Sequence, residues 1–192
     1  MPYREADDLN KYLFHEGTAI SAYEYMGAHA VTHDGVDGYM FRVWAPRARA
    51  VSVVGDFNSW DAGAHPMAKI TDGIWERFVP GGSTYDAYKF AVTGPDGVQR
   101  MKADPYAFHA ETRPGTASKL YTIDGYRWGD GAWRESRRST PIYTAPLNIY
   151  EVHLGSWKRR ENGDFIDYRD LARELAPYVR EMGFNFIELL PV

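Results

Sequence analysis

From Tyr39 to Val92 the chain sets short runs of β-branched and aromatic residues between turn formers. The runs YMFRVWA, AVSVVGDF, IWERFV and YDAYKFAV are marked off by Asp37-Gly38, Asp72-Gly73 and Gly81-Gly82. Tyr39, Phe41 and Val43 fall on one face of a strand, and Tyr88, Phe90 and Val92 on one face of another. A period of two is what a half-buried sheet requires, so this region predicts an antiparallel sandwich. Gly94 to Gly97 (GPDG) predicts a tight turn.

The pattern changes near residue 145. Ile149 to Leu154 reads as a strand, and Phe184 to Leu190 (FNFIELL) is a nearly continuous apolar run of the kind found in parallel sheets buried on both faces. Between them Tyr168, Leu171, Leu175, Val179 and Met182 recur at helical spacing, with Asp167 placed to cap the start and Gly183 to end the helix. Pro177 predicts a kink there. Strand, helix and strand make a βαβ unit, whose open parallel edge predicts a larger α/β domain cut short at Val192. The stretch 124–146, rich in Gly, Arg, Ser and Pro without periodicity, reads as a linker. The expected division is therefore an N-terminal extension (1–30), a sandwich (31–123), the linker (124–146) and the βαβ unit (147–192).

Composition narrows the function classes. Among 192 residues the formal net charge is -4, which argues against a nucleic-acid partner; the short run Arg134, Arg137, Arg138 does not change that. Aromatic residues make up 15%, more than a generic core needs and of a kind that carbohydrate-facing proteins use. Cysteine is absent, so disulfides and thiolate metal sites are excluded. No signal-like or membrane-length apolar segment is visible, and the expectation is a soluble cytoplasmic protein without a membrane partner. His15, His29, His33, His65, His109 and His153 show no metal-ligand spacing, and no glycine-rich phosphate loop is present, so neither metal nor cofactor is expected.

Four segments carry a resemblance in order and spacing: YEYMGAH (Tyr23 to His29), FRVWAPRARAVSVVGDFNSWD (Phe41 to Asp61), IYEVHLGSW (Ile149 to Trp157) and MGFNFIELLPV (Met182 to Val192). From about residue 10 to its end the chain resembles the glycogen branching enzymes. WAP followed by GDFN-W resembles a carbohydrate-binding module shared with debranching enzymes and kinase regulatory subunits, whereas YEVHLGSW is narrower and favours the branching enzymes. The resemblance implies an Ig-like antiparallel β-sandwich followed by the first βαβ unit of a truncated (β/α)8 barrel. It also implies transfer of an α-1,4-glucan segment to a 6-hydroxyl by a monomeric full-length enzyme, with glycogen or amylose as partner.

By the same resemblance Trp60 and Lys89 are the candidate glucan-binding residues. Each also has a plainer reading, Trp60 as a ring capping the sandwich and Lys89 as a solvated strand lysine. The second tryptophan of a binding-competent module would fall near Val98 to Arg100, where none stands. The catalytic carboxylates are expected beyond Val192, so no residue of this chain is assigned a catalytic role. Glu151, His153 and Glu188, on the predicted barrel strands, read as buried or outer groups satisfied by partners outside the chain. The competing reading is a stand-alone glucan-binding module or a regulatory subunit without catalysis.

Overall fold

Asp34 and Gly35 both have positive φ, 50° and 79°, the geometry of a two-residue type I′ hairpin turn. They join strand β1 (Gly27–His33) to β2 (Val36–Trp44). The Asp37-Gly38 pair, expected to be a turn, lies inside β2 instead. Gly38 serves close approach there, because a Cβ would come within 2.3 Å of the Val79 carbonyl oxygen. β1 (GAHAVTH) has few large apolar residues, which is why its sequence does not announce a strand.

The computed structural model describes residues 8–191, and the chain divides into two units, one ending at Tyr126 and one starting at Arg127. In the first, helix α1 (Asp8–Glu16) and a 3-10 turn at Ala22–Glu24 precede β1 and β2. Then follow β3 (Ala50–Gly55), β4 (Ala68–Lys69), β5 (Ile74–Pro80), β6 (Ala87–Thr93), β7 (Gln99–Lys102), β8 (His109–Ala110) and β9 (Ser118–Lys119). They form two antiparallel sheets, ordered β1-β2-β5-β4 and β3-β6-β9-β8, with β7 also paired to β6. The expected alternation holds: Tyr39, Phe41 and Val43 from one sheet meet Val51, Val53, Tyr88 and Phe90 from the other in the core, with Val92 packed at its margin.

Both faces of β2 are covered. Met40 and Arg42 point the other way and are buried as well. Arg42 Nε donates to Glu76 Oε2 at 2.5 Å, its Nη1 donates to the Tyr25 carbonyl, and its guanidinium lies 4.3 Å from the centroid of the Tyr25 ring. Tyr25 and Met26 pack there with Ile74, Phe14 and Ile70, so the segment that leads into β1 is part of the folded unit. A buried charge is tolerated when it is paired and hydrogen-bonded, which Glu76 and Tyr25 together provide.

Asp104 is also buried. Its Oδ2 accepts from the Tyr88 hydroxyl (2.6 Å), its Oδ1 accepts from the Tyr106 amide (2.8 Å), and its own amide donates to Ser118 Oγ (2.8 Å). Burial pushes its carboxyl above the usual range, while the bonds from Tyr88 and Tyr106 and the charge of His29 oppose that without cancelling it. A raised native pKa means that the folded state binds the proton more tightly than the unfolded chain. Its destabilising contribution is therefore full above the native pKa and is relieved as pH falls through it. Melting wild type and Asp104→Asn in parallel should show wild type gaining on the variant between pH 7 and mildly acid pH; a difference that stays constant with pH contradicts this.

The second unit contains α2 (Gly131–Ser139), β10 (Ile149–Val152), α3 (Leu154–Trp157), α4 (Tyr168–Glu181) and β11 (Phe186–Leu189). α2 lies within 124–146, the stretch that reads as a linker: Arg134, Arg137 and Arg138 are on it, and the Arg137 guanidinium sits 5.3 Å from the Trp133 ring. β10 and β11 pair in parallel, with α4 between them in sequence. Asp167 caps α4 by accepting from the Arg169 and Asp170 amides, and Gly183 follows with φ of 82°. Leu171, Leu175 and Val179 form its buried stripe, whereas Tyr168 and Met182, expected on that stripe, are exposed. The helix runs on through Pro177; Arg173 and Pro177 both lie on its exposed side, where water can replace the lost amide partner. β11 is not buried on both faces as its sequence suggests, since Ile187 and Leu189 are exposed.

Candidate functional site

The GDFNSWD segment is built so that each residue serves one turn. Gly55 ends β3 where a Cβ would meet the Ala87 carbonyl oxygen at 2.5 Å and the Phe57 ring at 2.7 Å. Asp56 to Asn58 then make one 3-10 turn. Phe57 points inward and its ring lies 5.6 Å from that of Phe41. Asn58 locks the turn: its Oδ1 accepts from the Gly55 amide (2.9 Å), and its Nδ2 reaches the Val53 carbonyl (3.0 Å) and His65 Nδ1 (2.8 Å). The amide nitrogen only donates, so His65 Nδ1 is an acceptor here. Partial burial and the charge of Arg77 lower the pKa of His65, which favours the unprotonated nitrogen that this bond needs.

Ser59 and Trp60 both adopt left-handed backbone, φ 52° and 61°. Two consecutive non-glycine residues of this kind are costly and persist only when neighbours impose them. The Trp60 amide donates to the Gly55 carbonyl (3.0 Å). Its indole Nε1 donates to Asp56 Oδ1 (3.0 Å), while Asp56 Oδ2 accepts from the Ala87 amide (2.8 Å). One carboxylate thus fixes the indole and ties it to the start of β6. Trp60 remains 38% exposed, its polar edge satisfied and apolar surface available for stacking.

Lys89 lies two residues beyond Ala87 on the same strand. It is half-buried, and its Nζ donates to Thr116 Oγ1 at 2.6 Å. The structure therefore brings Trp60 and Lys89 to one region of β6, through Asp56 and Ala87, and adds Thr116 to it. Sequence reading missed Asp56, Asn58 and Thr116. Asp56 and Asn58 stand inside the motif that drew attention to Trp60, whereas nothing local marks Thr116, 27 positions from its partner. No ring occupies Val98 to Arg100; Arg100 is bound to Asp96 instead, at 2.6 Å.

In the second unit Glu151 and Glu188 occupy matching positions on β10 and β11. Both are exposed, as is His153, whose Nδ1 lies 3.0 Å from Ser156 Oγ. They are thus not buried within this chain. Among the described residues no three His, Asp or Glu side chains come together as a metal site, and no helix is long and apolar enough to cross a membrane.

Comparison with known proteins adds to this geometry. The family described as carbohydrate-binding module 48 (isoamylase N-terminal domain) matches residues 25–107, which include Trp60 and Lys89. A 1,4-alpha-glucan branching enzyme of Halothermothrix orenii is 49% identical over 96% of the chain, and one of Nitrosospira multiformis 50% identical over 98%. The chain spans only 30% and 26% of their lengths. Among solved structures, a type I pullulanase of Bacillus subtilis complexed with maltose superimposes on 87% of the chain with a TM-score of 0.61 and 25% identity, covering 24% of the pullulanase. Residues 25–107 thus match the carbohydrate-binding module 48 family, and nearly the whole chain is similar to part of proteins named 1,4-alpha-glucan branching enzyme.

Proposed function

We propose that this chain is the N-terminal part of an enzyme that transfers α-1,4-glucan segments to 6-hydroxyls, and that its sandwich engages the glucan through Trp60 and Lys89. The observation that carries the reading is the near 50% identity, sustained across both units, to proteins named as 1,4-alpha-glucan branching enzymes. The partner is glycogen or amylose rather than nucleic acid or membrane, and the whole enzyme is a cytoplasmic monomer. Its βαβ unit is the beginning of a (β/α)8 barrel. Exposed Ile187 and Leu189 on a parallel strand fit that role, since barrel strands are covered on both faces.

The chemistry resides outside these residues. Retaining transfer needs two carboxyl groups about 5 Å apart on opposite sides of the anomeric carbon, one as nucleophile and one as acid and base; no cofactor is required. Glu151 and Glu188 do not meet that condition. They stand side by side on adjacent strands, and side chains in register project from one face of a sheet rather than flanking a bound sugar. Incubating the 192-residue chain with amylose should leave the iodine-complex absorbance unchanged, whereas the same chain continued through a complete barrel should shift it. A reproducible shift from the 192 residues alone would overturn the assignment.

A further inference from the structure

The outer face of the second sheet carries an aromatic cluster beside the Trp60 and Lys89 region. Strand register defines its position. Ala87 pairs with Lys119, and Lys119 pairs with His109, so these three side chains share one face. The period of two adds Lys89 along β6, and ring contacts bring in Tyr85, just before β6, and Tyr121, just beyond β9. Ring centroids lie 5.4 Å apart for Tyr85 and His109, 5.6 Å for Tyr85 and Tyr121, and 5.3 Å for His109 and Tyr121. Lys119 Nζ sits 6.0 Å from the Tyr85 centroid.

Tyr85 is held there against its own backbone preference. Its φ is 76°, in the left-handed region, and the residue is 53% exposed. A bulky residue in that region is a true outlier, and exposure means that burial of the ring does not compensate. The loop is clamped instead: the Tyr85 amide donates to the Leu120 carbonyl (2.8 Å), the Leu120 amide to the Asp86 carbonyl (2.9 Å), and the Ser83 amide to Asp86 Oδ2 (2.9 Å). These bonds turn the Tyr85 ring onto Tyr121 and His109. Imposed strain of this kind concentrates at ligand contacts.

The cluster has the chemistry of a sugar contact. Interplanar angles of 39°, 49° and 80° give a faceted aromatic surface, able to meet the C–H faces of a pyranose, and polar groups surround it. Lys119 and the two phenols supply donors. His109 Nδ1 lies 2.9 Å from the Ala110 carbonyl; a carbonyl only accepts, so Nδ1 carries the hydrogen and the neutral ring presents Nε2 as an acceptor.

We propose that Tyr85, His109, Lys119 and Tyr121 form a second hexose subsite, continuous across β6 with Trp60 and Lys89, so that one α-glucan chain occupies both. Lys89 follows Tyr85 by four positions, a reach of up to about 13 Å for an extended chain, suited to an oligosaccharide rather than a single sugar. The subsite rests on the glucan reading above, and the test separates the two. Wild type, Tyr85→Gly, Lys119→Ala and Trp60→Ala are run through native gels containing glycogen, alongside thermal melts. Tyr85→Gly should weaken retention at least about fivefold with an unchanged or raised Tm, because glycine adopts positive φ freely. Lys119→Ala should weaken it too, and decides the matter if Tyr85→Gly melts early. Retention by both variants equal to wild type, with Trp60→Ala impaired, overturns the second subsite alone. Failure of wild type to be retained overturns both.

Discussion

Phe41→Ala should destabilise the first unit by about 3–5 kcal/mol, the range for removing a fully enclosed aromatic side chain. Phe41 has no exposed surface, and its ring touches those of Phe57 and Tyr88 at centroid separations of 5.6 and 5.2 Å. Those neighbours come from the 3-10 turn that leads into Trp60 and from β6, which carries Lys89. Each is anchored independently, Phe57 beside the Asn58 bonds and Tyr88 by Asp104, so the space left by the ring cannot readily close. Urea denaturation followed by far-UV dichroism measures the loss. Val98→Ala, at a position 51% exposed, is the control and should stay within about 0.5 kcal/mol of wild type. A Phe41→Ala cost below about 1 kcal/mol would mean that the two sheets repack around the gap and that the turn does not depend on the core.

How much of this was legible beforehand follows from where the signal lies. The sandwich was readable because the β2, β3, β5 and β6 sequences combine large apolar residues with period two. β1 was not, since its Gly, Ala, His and Thr residues gain their place through pairing with β2 rather than through their own hydrophobicity. That omission also displaced the turn from Asp34-Gly35 to Asp37-Gly38, two dipeptides of identical composition that only the flanking strand distinguishes. α2 escaped notice because Gly131, Ser136 and Ser139 weaken its propensity and none of its residues is buried. Trp60 and Lys89 could be named from their resemblance to a module, but the groups that hold them could not. The Asp56 carboxylate joins positions 60 and 87, and Thr116 meets Lys89 from a distant loop; such contacts depend on the assembled sheet.

Trp60→Ala should abolish the retention of the chain by glycogen while leaving its fold intact. One exposed ring limits the binding energy. Stacking an aromatic face on a planar base contributes about 1–3 kcal/mol, and a sugar face offers no stronger partner, so the sandwich should hold long α-glucans weakly, with Kd in the high micromolar range at best. At such affinity the loss of one principal contact removes measurable binding altogether. The fold should survive for a separate reason. The turn is held by Asn58, the Gly55 amide and inward-facing Phe57, none of which the substitution touches. What disappears is the indole bond to Asp56, at an exposed site where water can replace it. The Asp56 bond to the Ala87 amide remains. Native gel electrophoresis in glycogen reads the binding and a thermal melt reads the fold. Early melting of Trp60→Ala would show that the indole is a structural cap on the sandwich, and retention equal to wild type would show that the glucan is held elsewhere.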